Sequence, residues 1–117
     1  GNYQSFRDRI NCKNVYLIVG NHDPHSKSGH PKKKLYDIFS DVWQFLKIRL
    51  SYKDSFYSFF LSHYPMMSWA GKNRGTIAVF GHSHGNINDR LHNSLDVGVD
   101  TNNFKPYHIS EVIEKSV

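Results

Sequence analysis

The sequence predicts an α/β protein with mixed β-sheets and short flanking helices. Three observations carry that expectation. Apolar runs at 15–19, 56–61 and 76–80 have the length and the β-branched or aromatic content of buried strands. Leu35, Ile38 and Phe39 recur at i, i+3 and i+4, the spacing of a short helix. Each of the three runs also ends in a turn that carries histidine, and open sheets with helical layers bind ligands at the carboxyl ends of their strands.

The elements follow in order. Ser5-Phe6-Arg7-Asp8-Arg9-Ile10 reads as the last turn of a helix whose start is missing. Residues 15–19 form a strand buried on both faces, ended by Gly20. A polar loop from His25 to Lys34 contains Lys27, Lys32, Lys33 and Lys34, with His30 and Pro31. Residues 42–50 alternate, with Leu46, Ile48 and Leu50 on one side and Lys47 and Arg49 on the other, as in a half-solvated strand. Ser51-Tyr52-Lys53-Asp54-Ser55 is a hairpin turn, and 56–61 is a buried strand paired with the first. Residues 66–74 form a loop, with Trp69 covering part of the molecule. The third buried strand is 76–80; a polar connection at 86–93 leads to a short strand at 95–100, broken by Gly98. A final helix starts at Ser110, with Glu111 in its first turn, where the helix dipole favours acid.

At 117 residues, 38% hydrophobic and 21% charged, the chain suits one small folded domain. Its single cysteine, Cys12, excludes an internal disulfide and reads as a small buried hydrophobe near a strand. It also disfavours a classical zinc finger, which needs more thiolates. No apolar run approaches membrane-spanning length and no secretory-type segment opens the chain, so a cytoplasmic, soluble protein is expected. The net charge of +5 favours anionic partners such as phosphate esters or nucleic acid.

The stretch Gly81-His82-Ser83-His84-Gly85 holds two imidazoles two residues apart. In extended backbone both would point the same way, and the glycines would allow a tight turn. If the three apolar strands lie side by side, these groups converge with Asn21-His22-Asp23 and His63 in one crevice. Imidazole with carboxylate and amide oxygen suits zinc, iron, manganese or nickel. The chemistry of such a set is metal-assisted hydrolysis, with a further histidine giving a proton to the leaving group.

Gly20-Asn21-His22-Asp23, Ser62-His63-Tyr64-Pro65 and Gly81-His82-Ser83-His84, in that order, resemble the later motifs of the calcineurin-like metallophosphoesterases, most closely their small phage and bacterial members. The resemblance runs to Asp96-Val97-Gly98-Val99-Asp100. It implies an incomplete four-layer αββα sandwich, two divalent metal ions in the complete site, and hydrolysis of a phosphomonoester or phosphodiester. It implies that Asn21, His63 and His82 are ligands of one metal and that His84 is a ligand of the other. It gives His22 the role of the histidine that assists the leaving group, with Asp23 hydrogen-bonded to it.

The family's earlier motifs, an Asp-x-His and a Gly-Asp, do not occur before Gly20. The chain, 1–117, is therefore expected to be the C-terminal portion of such a domain, to bind metal weakly, and to show at most residual phosphoesterase activity. The alternative is a non-catalytic module that binds metal or nucleic acid through its basic loop. Lys27, Lys32, Lys33 and Lys34 could steer an anionic substrate but read better as a solvated loop. His25, His30, His92 and His108 read as ordinary surface residues, and the aromatics of 56–60 as core rather than a base-stacking surface. Tyr64 and Trp69 could line a substrate pocket. Asp96 and Asp100 are either partners of the site or parts of a structural turn.

Overall fold

A computed structural model describes residues 2–25, 30–84 and 92–117. Lys27, Gly85 and most of the 86–93 connection lie outside the described residues. The fold is mixed α/β, with two sheets and short helices. The chain divides into two compact units, Gly1–Gln44 and Phe45–Val117.

In the first unit, helix α1 (Tyr3–Asp8) has its own start, because the Asn2 side chain accepts a hydrogen bond from Ser5 N–H at 3.0 Å. It is a short capped helix. Strand β1 (Tyr16–Ile18) pairs in parallel with β2 (Asp41–Trp43), in the register Tyr16↔Asp41 to Ile18↔Trp43. A parallel pair needs a crossover, and helix α2 (Lys33–Ile38) lies within it. Leu35, one of the helix-spaced trio, is 0% exposed and anchors this unit. The expected burial of β1 on both faces is not found: Tyr16 is 59% exposed, and Leu17 and Ile18 are half-buried. Cys12 is exposed too, with its thiol on Asn14 O, and is not the buried hydrophobe expected.

The alternating stretch 42–50 is not one strand. It divides at Gln44: β2 belongs to the first sheet, and β3 (Phe45–Tyr52) opens the second. Within β3 the expected alternation holds over 45–49. Lys53 and Asp54 turn the chain with φ of 49° and 65°, as a two-residue hairpin requires. Strand β4 (Ser55–Ser62) then runs antiparallel to β3 along its whole length. Strands β5 (Ile77–Phe80) and β6 (Ser94–Asp96) add in parallel, giving the order β3-β4-β5-β6. The three histidine-tipped strands are thus not all neighbours: β4 and β5 share a sheet, whereas β1 pairs with β2. The expected strand at 95–100 stops at Asp96, and Val99–Thr101 forms a 3₁₀ turn instead.

Alternation sends Phe59 and Ile77 to one face of this sheet, where Val112 of helix α3 (Ile109–Lys115) covers them. Phe60 and Ala78 go to the other face, where Trp69 is buried on them and donates Nε1–H to Thr76 O at 2.8 Å. Trp69 is therefore core rather than pocket lining. Helix α3 begins one residue earlier than expected, with His108 as its cap. His108 Nδ1 accepts from Ser110 N–H at 3.2 Å, and the Glu111 carboxylate accepts from His108 N–H at 3.1 Å. His108→Ala is expected to destabilise the protein by about 1 kcal/mol, and His108→Asn, which restores an acceptor, by much less. Urea unfolding curves of the two variants check this; equal losses would show that the cap is not the cause.

Candidate functional site

Strands β4, β5 and β6 run parallel to one another, so their carboxyl ends lie on one edge of the sheet. The register Leu61↔Val79 brings the residues after β4 level with those after β5, and Gly81 N–H donates to His63 O at 3.0 Å. That backbone bond sets His63 beside the histidine turn. His63 Nε2 then lies 3.1 Å from His82 Nδ1. The Tyr64 ring packs on both imidazoles, with centroids 4.9 Å from His63 and 4.6 Å from His82.

The histidine turn is not extended. Ser83 N–H donates to Gly81 O at 2.7 Å, closing a three-residue turn around His82, whose φ is +65°. His84 has φ +51°. Positive φ is uncommon away from glycine and costs about 1–2 kcal/mol per residue. Such backbone strain clusters where a side chain must be held for function. The flanking glycine does not supply the bend: a methyl group at Gly81 would meet His63 only at ordinary contact distances, 3.8 and 3.9 Å. The two rings therefore leave in different directions instead of sharing one.

His84 Nδ1 meets Asp100 Oδ2 at 2.6 Å, in the 3₁₀ turn after β6. With Nδ1 turned to the carboxylate, Nε2 is the ring nitrogen left to serve a metal when the imidazole is neutral. Asp100 thus orients His84, and Asp96 Oδ1 accepts from Gly98 N–H at 2.9 Å. Gly98 makes room for both: a Cβ there would lie 2.7 Å from Asp100 Oδ1 and 3.2 Å from Asp96 Oδ1. The signal for Asp100 was its place after the strand that flanks the histidine strand. Tyr64 was signalled only by following His63.

In the first unit, Asn21 and His22 are exposed in the turn after β1. Asp23 does not engage His22. Its Oδ1 accepts from the Tyr3 hydroxyl at 2.7 Å and its Oδ2 from Gly20 N–H at 2.6 Å, so it fastens α1 to this turn. The hydrogen bond to Asp23, with burial adding to it, pushes the Tyr3 hydroxyl up to about 12 from an ordinary value of 10. A raised folded-state value means that the bond's stabilisation is complete below pH 10 and is lost as the pH rises towards 12. Tyr3→Phe is expected to remove that dependence. Unfolding free energies measured between pH 9 and pH 12 check it, and identical slopes for the two proteins would refute it.

Two nitrogens bound to one ion at about 2.0–2.1 Å, at angles between octahedral and tetrahedral, lie about 2.9–3.4 Å apart. The His63–His82 separation of 3.1 Å falls in that range and is equally the length of a hydrogen bond between the two rings. Among the described residues, no group of three or more histidine, cysteine or carboxylate side chains is gathered for a metal. His63 and His82 come together, His84 is held by Asp100, and Asn21, His22 and Asp23 belong to the other unit. Among the described residues, no helix is long and apolar enough to cross a membrane. No protein-family model, curated protein or solved structure matches the chain.

Proposed function

We propose that this chain takes part in metal-dependent hydrolysis of a phosphate ester. The observation that supports it best is the imidazole pair His63–His82, 3.1 Å apart at the carboxyl ends of the parallel strands β4 and β5. The order of the Gly-Asn-His-Asp, His and Gly-His-Ser-His motifs supports the same reading. The metallophosphoesterase family, its four-layer αββα sandwich and a cytoplasmic place of action belong to this proposal.

His63 and His82 would hold one divalent ion; an amide ligand's role for Asn21 rests on the resemblance alone. His84, oriented by Asp100, would offer Nε2 to a second. Manganese, iron, zinc and nickel all suit imidazole with oxygen donors. A bound ion supplies Lewis acidity to a phosphoryl oxygen and to a water molecule. Tyr64 covers one side of the imidazole pair and limits its movement. The resemblance alone gives His22 the role of the proton donor to the leaving oxygen.

Titration calorimetry with Mn²⁺, paired with hydrolysis of bis(p-nitrophenyl) phosphate, tests the proposal. Binding of one ion per chain is expected, with slow hydrolysis that EDTA abolishes. Failure to bind Mn²⁺, Zn²⁺ or Ni²⁺, or hydrolysis indifferent to EDTA, would overturn it.

A further inference from the structure

The β3–β4 hairpin carries a second feature, unrelated to the histidines. Directly paired residues share a face. Phe45, Lys47, Arg49 and Ser51 of β3 therefore share one with Ser62, Phe60, Ser58 and Phe56 of β4. Ring contacts agree with that register: Phe45 stacks on Phe60 at 5.9 Å, 16° from parallel, and the Arg49 guanidinium lies 4.3 Å above the Phe56 ring. Phe45 is 61% exposed and Phe56 64% exposed. Lys47 and Arg49 are exposed between them. Neither strand contains an acidic residue; the nearest in sequence, Asp54, is in the hairpin turn.

We infer that this face binds single-stranded nucleic acid. Two aromatic rings, each more than half exposed although one face of each is occupied by Phe60 or Arg49, offer stacking surfaces for unpaired bases. The two cations, with no carboxylate on either strand to neutralise them, select a polyanion. Phe45 and Phe56 stand at opposite ends of the face, six residues apart along β3 by register, which is roughly 20 Å. That length accommodates two or three stacked bases, as on other four-stranded sheets that read single strands. A second copy of the chain or a protein partner would also cover the rings, but the uncompensated positive charge at the centre of the face favours a polyanion. The inference does not depend on the metal reading, because it uses none of the histidines.

Fluorescence anisotropy of labelled oligo-dT12, with the matching duplex for comparison, tests it. The single strand is expected to bind more tightly than the duplex, whose bases are already stacked. Phe45→Ala and Phe56→Ala should each weaken single-strand binding at least about fivefold, with Phe56→Trp restoring it. The log–log salt slope should be at least as steep as about −1.4 from the two cations, and Arg49→Gln should make it shallower by about 0.7. Circular dichroism controls for folding, and both rings are exposed enough for alanine to be tolerated. Absence of binding overturns the inference, as does preference for the duplex or indifference to the phenylalanine substitutions. A change in oligomeric state on sedimentation of Phe45→Ala or Phe56→Ala, without loss of dT12 affinity, would assign the face to self-association instead.

Discussion

Gly71→Ala is expected to destabilise the Phe45–Val117 unit by about 2–4 kcal/mol, lowering its thermal midpoint by about 10–20 °C. Gly71 has φ +81°, where an alanine is already strained by about 1 kcal/mol. Its added methyl would stand 2.2 Å from Thr76 Oγ1 and 3.0 Å from Thr76 Cβ. Thr76 cannot retreat easily. It is buried, its N–H donates to Gly71 O at 3.1 Å, and its carbonyl accepts from the buried Trp69 indole. The clash therefore strains the packing of Trp69 on Phe60 and Ala78, the apolar cluster on that face of the sheet. Gly75 provides the internal comparison. It has φ +86°, but nothing lies within 4 Å of a Cβ there, so Gly75→Ala should cost only the backbone strain, about 1 kcal/mol. Guanidinium unfolding of both variants separates the two contributions, and equal losses would mean that Thr76 yields.

How far the sequence exposes this fold depends on what each residue answers to. Strands β4 and β5 and helix α2 were legible because their signals are local: apolar runs of strand length, and an i, i+3, i+4 triplet whose first member, Leu35, is fully buried. The break at Gln44 was not, since neither glycine nor proline marks it. What divides 42–50 is choice of partner, β1 for one half and β4 for the other, and pairing is a tertiary event. Likewise Phe45 and Phe56 have the composition of core and the position of surface. Hydrophobicity says that a ring gains by burial, not that a neighbour exists to bury it. The proximity of His63 and His82 was foreseeable, because each follows a strand and both strands belong to one parallel pair. The expected common direction of His82 and His84 failed because their backbones are left-handed, and nothing in Gly-His-Ser-His-Gly announces that both histidines, and not Gly81, take positive φ.

That backbone also dictates how the imidazole pair should be tested. His82→Asn is expected to weaken the first metal ion's binding by more than about 100-fold, the loss of a direct ligand exceeding the 10- to 100-fold typical of an outer partner. Asparagine is the replacement of choice because it tolerates positive φ, whereas alanine at +65° would add strain and confuse loss of a ligand with loss of the turn. The turn's own bond, Ser83 N–H to Gly81 O, uses no side chain, and should survive in His82→Asn. His84→Asn supplies the contrast. His84 also has positive φ but turns to Asp100 rather than to His63, so its removal should cost the first ion less than about tenfold. Calorimetric titration of Zn²⁺ or Mn²⁺ into the three proteins, with circular dichroism to establish folding, distinguishes the cases. Comparable losses in His82→Asn and His84→Asn would place both rings on one ion. Unchanged binding in His82→Asn would leave the 3.1 Å approach of His63 and His82 as a hydrogen bond between two imidazoles, with no metal to explain it.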